Sequence, residues 1–166
     1  LVMSVAKIGN LAATAERVVQ QHDFRTFLDL MAHAHAAGNG RGFVFVQNDG
    51  GERSFGFEDL VEAGRARGRK LRGLGLQKGD RVALIIPEAD EFVLTFLGAI
   101  TQGIIPVPLY PPLSLGRLDA YLDGTVRILE AAHANVLVTT NQVQKILWSI
   151  VTRVPTLKDL VTIEKV

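Results

Sequence analysis

The chain has 166 residues, 48% hydrophobic and 21% charged, with a net charge of +1. This fits one domain or subdomain, argues against disorder, and supplies no bulk field to draw in nucleic acid or an anionic membrane. There is no cysteine, which excludes a disulfide scaffold, a thiol nucleophile and a thiolate metal site, and is compatible with a cytoplasmic location.

Leu1 to Asn10 carries one lysine and no sustained apolar run, so no secretory signal is read there. Val5, Ile8, Ala12, Ala15 and Val19 recur at helical spacing and predict a helical lead over residues 1–22, ahead of an α/β unit over 23–166. Phe24, Phe27, Leu28 and Met31 predict an amphipathic helix from Phe24 to Ala37, with Asp23 as its N-terminal cap and Gly38 to Gly42 as its end. Phe43 to Gln47 and Glu52 to Phe55 flank the turn residues Asn48-Asp49-Gly50-Gly51 and predict a hairpin.

Phe57 to Leu74 predicts a helix with Leu60, Val61, Gly64, Gly68 and Leu71 on one face and Glu58, Glu62, Arg65, Arg69 and Arg72 on the other. Its two inner glycines, costing about 1 kcal/mol each against alanine, imply close packing of that face on a sheet. Beyond it the pattern alternates: a strand over Arg81 to Ile86, a helix over Asp90 to Gln102, and a strand with prolines over Ile104 to Pro108. A helix over Leu115 to His133, a strand over Asn135 to Thr140, a helix over Asn141 to Thr152 and a strand over Leu160 to Ile163 follow. Alternating apolar strands and helices predict an α/β fold, a mostly parallel sheet flanked by helices, joined by right-handed crossovers. Phe92 to Leu109 is the most apolar stretch. It is shorter and more interrupted than the roughly 20 apolar residues of a membrane span, so none is expected.

The residues by themselves specify no catalytic, cofactor-binding or metal site. Gly73, Gly75 and Gly79 follow a helix and precede a strand, the reverse of a phosphate-binding loop, and read as a helix end and a turn. Arg65, Arg67, Arg69, Lys70 and Arg72 read as a solvated face beside Glu58 and Glu62, without the aromatics of a single-strand binder. His33 and His35 diverge on a helix, and His22 and His133 stand apart, so no metal is expected. Asp23, Asp80, Asp90, Asp119 and Asp123 show no telling partner, and Ser54 and Ser114 lie outside any nucleophile elbow. Asp80 reads as a residue that shapes the turn into the next strand.

Three ordered segments resemble the start of the adenylate-forming superfamily, which includes acyl-CoA synthetases, fatty acyl-AMP ligases and amino-acid adenylation domains. Arg53-Ser54-Phe55-Gly56-Phe57-Glu58-Asp59-Leu60 resembles the first core motif. Gly75-Leu76-Gln77-Lys78-Gly79-Asp80-Arg81-Val82-Ala83-Leu84 resembles the stretch that enters the next strand. Leu97-Gly98-Ala99-Ile100 with Gly103, then Pro106-Val107-Pro108-Leu109-Tyr110-Pro111-Pro112, resembles the second. The ending Pro108-Leu109-Tyr110-Pro111-Pro112, and the segment from Gly116-Arg117-Leu118 to Thr140, are most similar to fatty acyl-AMP ligases.

The resemblance implies an enzyme that joins a fatty acid to AMP from ATP, with Mg2+, and passes the acyl group to an acyl carrier protein. Acyl-CoA synthetases deliver it to CoA instead. It also implies that the phosphate loop, the adenine and ribose contacts and the mobile lysine lie downstream of Val166, so no catalytic residue is carried over. The chain is then expected to be an inactive N-terminal piece that binds no ATP tightly. A fragment of an acyl-CoA synthetase or amino-acid adenylation domain, and a non-catalytic interaction module, are the alternatives.

Overall fold

The computed structural model describes residues 24–36, 40–112 and 117–166. The helical lead over 1–22, Asp23, Ala37, Gly38, Ser114 and Gly116 lie outside the described residues. Helix α1 spans Phe27–Ala36 and starts later than the apolar spacing predicts. Its start is set by a reciprocal pair: the Asp29 amide donates to the Thr26 hydroxyl at 3.1 Å, and the Thr26 amide donates to the Asp29 carboxylate at 2.8 Å. This is a capping box, which satisfies two amides that have no partner inside the helix.

The hairpin follows as β1 (Gly42–Val46) and β2 (Glu52–Gly56), antiparallel, with Phe43 opposite Phe55 and Phe45 opposite Arg53. Gly50 has φ +83, and the Gly51 amide donates to the Asp49 side chain at 2.9 Å. These are the positive dihedral and the local side-chain bond that the Asn-Asp-Gly-Gly run predicts.

Helix α2 (Phe57–Gly73) leads into β3 (Arg81–Ile85), α3 (Ala89–Thr101) and β4 (Ile105–Pro108). Helix α4 (Leu118–Ala132), β5 (Val136–Thr139), α5 (Asn141–Leu147) and β6 (Asp159–Thr162) complete the unit. Single 3-10 turns, Trp148–Ile150 and Ile163–Lys165, follow α5 and β6. His133 closes α4 in the left-handed region at φ 50.

The four later strands form one parallel sheet in the order β4-β3-β5-β6. Strands β3, β5 and β6 alternate between two apolar layers. Ala83, Ile85, Leu137 and Leu160 face Leu122, Val126, Leu129 and Leu147 of α4 and α5. Val82, Leu84, Val136, Val138 and Val161 face Leu71 of α2 and Ala99 of α3. The chain steps one way for β4 and the other way for β5 and β6. Connections of one hand then put α3 on one face and α4 and α5 on the other. A third cluster joins Met31 of α1, Phe45 of β1, Leu60 of α2 and Leu94 and Leu97 of α3, and seats the hairpin on the helical layer.

Helix α5 ends at Leu147, short of the expected Thr152, because the chain tightens into the 3-10 turn Trp148–Ile150, and a further expectation is corrected. Gly64 and Gly68 of α2 do face a close neighbour, but it is helix α3 rather than the sheet. A Cβ on Gly64 would lie 3.0 Å from the Leu97 Cβ, and one on Gly98 would lie 2.9 Å from the Gly64 carbonyl oxygen. The strand prolines also find a reason. The amides of Ile105 and Leu109 donate to the carbonyls of Asp80 and Leu84 at 2.8 and 3.0 Å. Alternation turns the nitrogens of Pro106 and Pro108 to the outer edge, where a missing N–H leaves no rung unmade.

Candidate functional site

In a doubly wound sheet the ligand crevice lies at the carboxyl ends of the two strands whose following helices leave to opposite faces. Here those strands are β3 and β5, and the crevice is bounded by residues 86–88 and 139–141, with 109–112 and 162–164 beside it. Its two floors are bonded together: the Thr139 hydroxyl donates to the Ile85 carbonyl at 2.6 Å in a buried setting. Thr140 is spent on α5, its hydroxyl accepting from the Val143 amide at 3.4 Å.

Two carboxylates border this end. Asn141 donates its side-chain N–H to Glu164 Oε1 at 2.8 Å. A hydrogen bond from the Thr162 hydroxyl, then one from its own backbone amide, holds the Glu164 carboxyl below the usual glutamate range. Glu88 stands at the N-cap of α3 without bonding its amides, and its Oε2 is buried with no hydrogen-bond partner.

The proline-rich exit from β4 is pinned from the opposite side. The Tyr121 hydroxyl of α4 donates to the Tyr110 carbonyl at 2.9 Å, while the Tyr110 ring is 85% exposed. Burial pushes the Tyr121 phenol above its usual value, against a hydrogen bond with Thr125 that pulls it down.

Residues 86–88, 109–112 and 139–141 contain no glycine, lysine or arginine, the residue types that line a glycine-rich phosphate loop or meet a phosphate's charge. Among the described residues no three of His, Asp and Glu gather as metal ligands. Gly75 and Gly79 have φ near +90 and serve the turn into β3, where the Asp80 carboxylate accepts from the Gln77 amide at 2.7 Å. His33 packs against the Phe24 ring at 5.1 Å, whereas His22 and the side chain of His35 lie outside the described residues. No helix among the described residues is long and apolar enough to cross a membrane.

The strongest charged constellation was not legible in the sequence. Arg53 of β2 donates to Asp90 at 2.5 Å and to Glu91 at 3.4 Å. Arg67 of α2 takes the other Glu91 oxygen at 2.5 Å and the Thr95 hydroxyl at 3.2 Å. The Asp90 side chain is only 4% exposed. The pair spans 37 residues, so no local spacing points to it. A shallow apolar hollow of about 230 Å³ lies nearby, lined by side chains that include Phe27, Met31, Phe43, Phe92 and Phe96.

The family model for the AMP-binding enzyme matches residues 32–164. The chain belongs to the AMP-binding enzyme family. It is 31% identical over 102 residues to the long-chain-fatty-acid–AMP ligase FadD32 of Mycobacterium marinum, across 60% of this chain and 15% of that protein. It is 30% identical over 110 residues to the acetyl-coenzyme A synthetase of Bacillus subtilis, across 65% of this chain and 18% of that enzyme. A solved structure from the fatty acyl-adenylate ligases of E. coli and L. pneumophila superposes with TM-score 0.75 at 26% identity, over 86% of this chain and 25% of that one. The α/β unit therefore matches the N-terminal subdomain of adenylate-forming enzymes. This chain spans less than a fifth of the length of either relative.

Proposed function

We propose that this chain is the N-terminal scaffold of a longer fatty acyl-AMP ligase, with residues 1–22 as a lead and 23–166 as a partial α/β subdomain. The observation that carries this reading is the exit from β4. Pro108-Leu109-Tyr110-Pro111-Pro112 combines the fatty acyl-AMP ligase pattern with a structural use, the Tyr121 bond that fixes it beside the crevice. The name of the FadD32 relative, a long-chain-fatty-acid–AMP ligase, points the same way.

The longer enzyme, working in the cytoplasm, joins a fatty acid to AMP drawn from ATP. A carboxylate oxygen attacks the α-phosphorus, the bond to the bridging oxygen breaks, and pyrophosphate leaves; Mg2+ bound to the longer enzyme would supply charge to offset the phosphates. A phosphopantetheine thiol on an acyl carrier protein then attacks the acyl carbonyl and AMP leaves. The gain is a leaving group on an otherwise unreactive carboxylate, and the main demand is stabilisation of phosphate charge. Residues 86–88, 109–112 and 139–141 carry no lysine or arginine, and in this reading the groups that do the chemistry belong to the rest of the longer protein.

The test is to give the longer gene product ATP, Mg2+ and a long-chain fatty acid, with either CoA or a phosphopantetheinylated carrier, and to read products by mass spectrometry. Acyl-AMP that persists with CoA but moves to the carrier is expected. Rapid acyl-CoA formation would establish the second reading, an acyl-CoA synthetase, which the acetyl-coenzyme A synthetase relative favours. The 166-residue chain itself should bind ATP only weakly in calorimetry, and micromolar affinity would overturn the scaffold reading.

A further inference from the structure

The near-neutral net charge conceals a segregation. Residues 64 to 81 hold seven basic residues and a single acid, Asp80. On α2, Arg65, Arg69 and Arg72 are all exposed. Their i, i+4, i+7 spacing lines them up in one stripe about 10 Å long. None of the three forms an ion pair with a described residue, whereas Arg67, on the inner side, is taken up by Glu91. The acids of this helix, Glu58, Asp59 and Glu62, all precede Arg65, so the interleaving that marks a self-neutralised face stops there. The helix C-terminus contributes about half a negative charge, too little to offset three guanidinium groups and Lys70.

We propose that this stripe docks an acidic helix of a partner protein, one whose carboxylates recur at three- and four-residue spacing. Arginine rather than lysine fits that occupant, because the planar guanidinium pairs with a carboxylate through two parallel bonds. A membrane surface fits less well: no large apolar side chain is exposed between residues 47 and 104 to enter a lipid interface. Single-stranded nucleic acid fits less well too, since no exposed aromatic ring lies among these bases to stack on. Exposed ion pairs are individually weak, so the contact is a transient one, fast to form and sensitive to salt.

The experiment titrates the full chain into a labelled synthetic helix bearing glutamates at i, i+4 and i+7, followed by fluorescence anisotropy at rising salt. Binding at low salt that weakens steeply as salt rises is expected. R65Q/R69Q/R72Q should weaken it roughly tenfold or more, three exposed pairs being lost. R127Q/K145Q, exposed bases elsewhere, should leave it unchanged. Circular dichroism of each variant checks that the helices persist. Equal affinity of the wild type and the triple variant overturns the proposal. So does tighter binding of phosphatidylglycerol vesicles or a single-stranded oligonucleotide through the same three arginines.

Discussion

A Cβ placed on Gly68 would stand 2.5 Å from the carbonyl oxygen of Gly98. Helices α2 and α3 cross with only hydrogens between their backbones at this point. Gly68→Ala must push the two helices apart or bend one of them, and overpacking of this kind costs about 1–3 kcal/mol. The expected outcome is a melting temperature lower by several degrees, at roughly 2–4 °C per kcal/mol for a chain of this size. Gly73→Ala, at the end of the same helix with nothing within 4 Å of its Cβ, should be neutral or slightly stabilising. Thermal unfolding of the two variants side by side checks the contrast, and equal effects would rule out the close crossing as the cause.

Arg53 fastens the hairpin to α3 through a carboxylate that water hardly reaches. Arg53→Met leaves the Asp90 charge buried and without that partner, a loss of up to about 3–5 kcal/mol when both groups are fully buried. Arg53 is itself 48% exposed, so the expected loss lies at or below the lower end. The double variant Arg53→Met with Asp90→Leu should recover much of it, because no buried charge is then left over. Urea unfolding measures the stabilities, and hydrogen exchange over residues 42–56 shows whether the hairpin is what loosens. A single variant as stable as the wild type would mean that solvent already screens the pair.

Tyr121 predicts an alkaline limit to stability. Its folded pKa is raised, so the unfolded chain loses this proton first as pH climbs past about 10. The stabilisation is complete below that value and is lost as pH rises toward the folded pKa. Tyr121→Phe should flatten this part of the stability curve and also free the Tyr110 carbonyl. Denaturant unfolding from neutral pH upward checks it; curves that stay parallel would show that Tyr121 is not responsible.

Glu164 acts at the other end of the scale. Its carboxyl is held below the usual range by Thr162. Its contribution is present above about pH 4.5 and fades as pH falls toward the folded value. Thr162→Val should remove the larger part of this acid dependence, which denaturant midpoints below neutral pH would reveal.

The sheet was legible because its strands are short apolar runs bounded by turns. Val82, Leu84, Leu137 and Val138 can only be buried on both sides, and buried strands with intervening helices have few other solutions. Helix α2 announced its inner face through Leu60 and Leu71, but not what that face would meet. Glycine at Gly64 and Gly68 signals close approach without naming the neighbour, and the neighbour is α3. Asp90 looked unpaired because Arg53 lies far back in the chain, on a different layer. The apolar spacing starts α1 at Phe24, whereas the Thr26 and Asp29 pair decides where the backbone turns helical, at Phe27. The crevice position follows from strand order, which three crossovers establish and no single segment contains.

The outer edge of β4 closes the sheet on that side. A strand arriving there would find pyrrolidine rings at Pro106 and Pro108 where it needs donors, so pairing past β4 loses those rungs. The outer edge of β6 carries no proline, since Asp159, Leu160, Val161 and Thr162 all keep their amides. A further strand that joins this layer therefore finds a full set of donors only beside β6, which biases assembly of a wider sheet toward that edge.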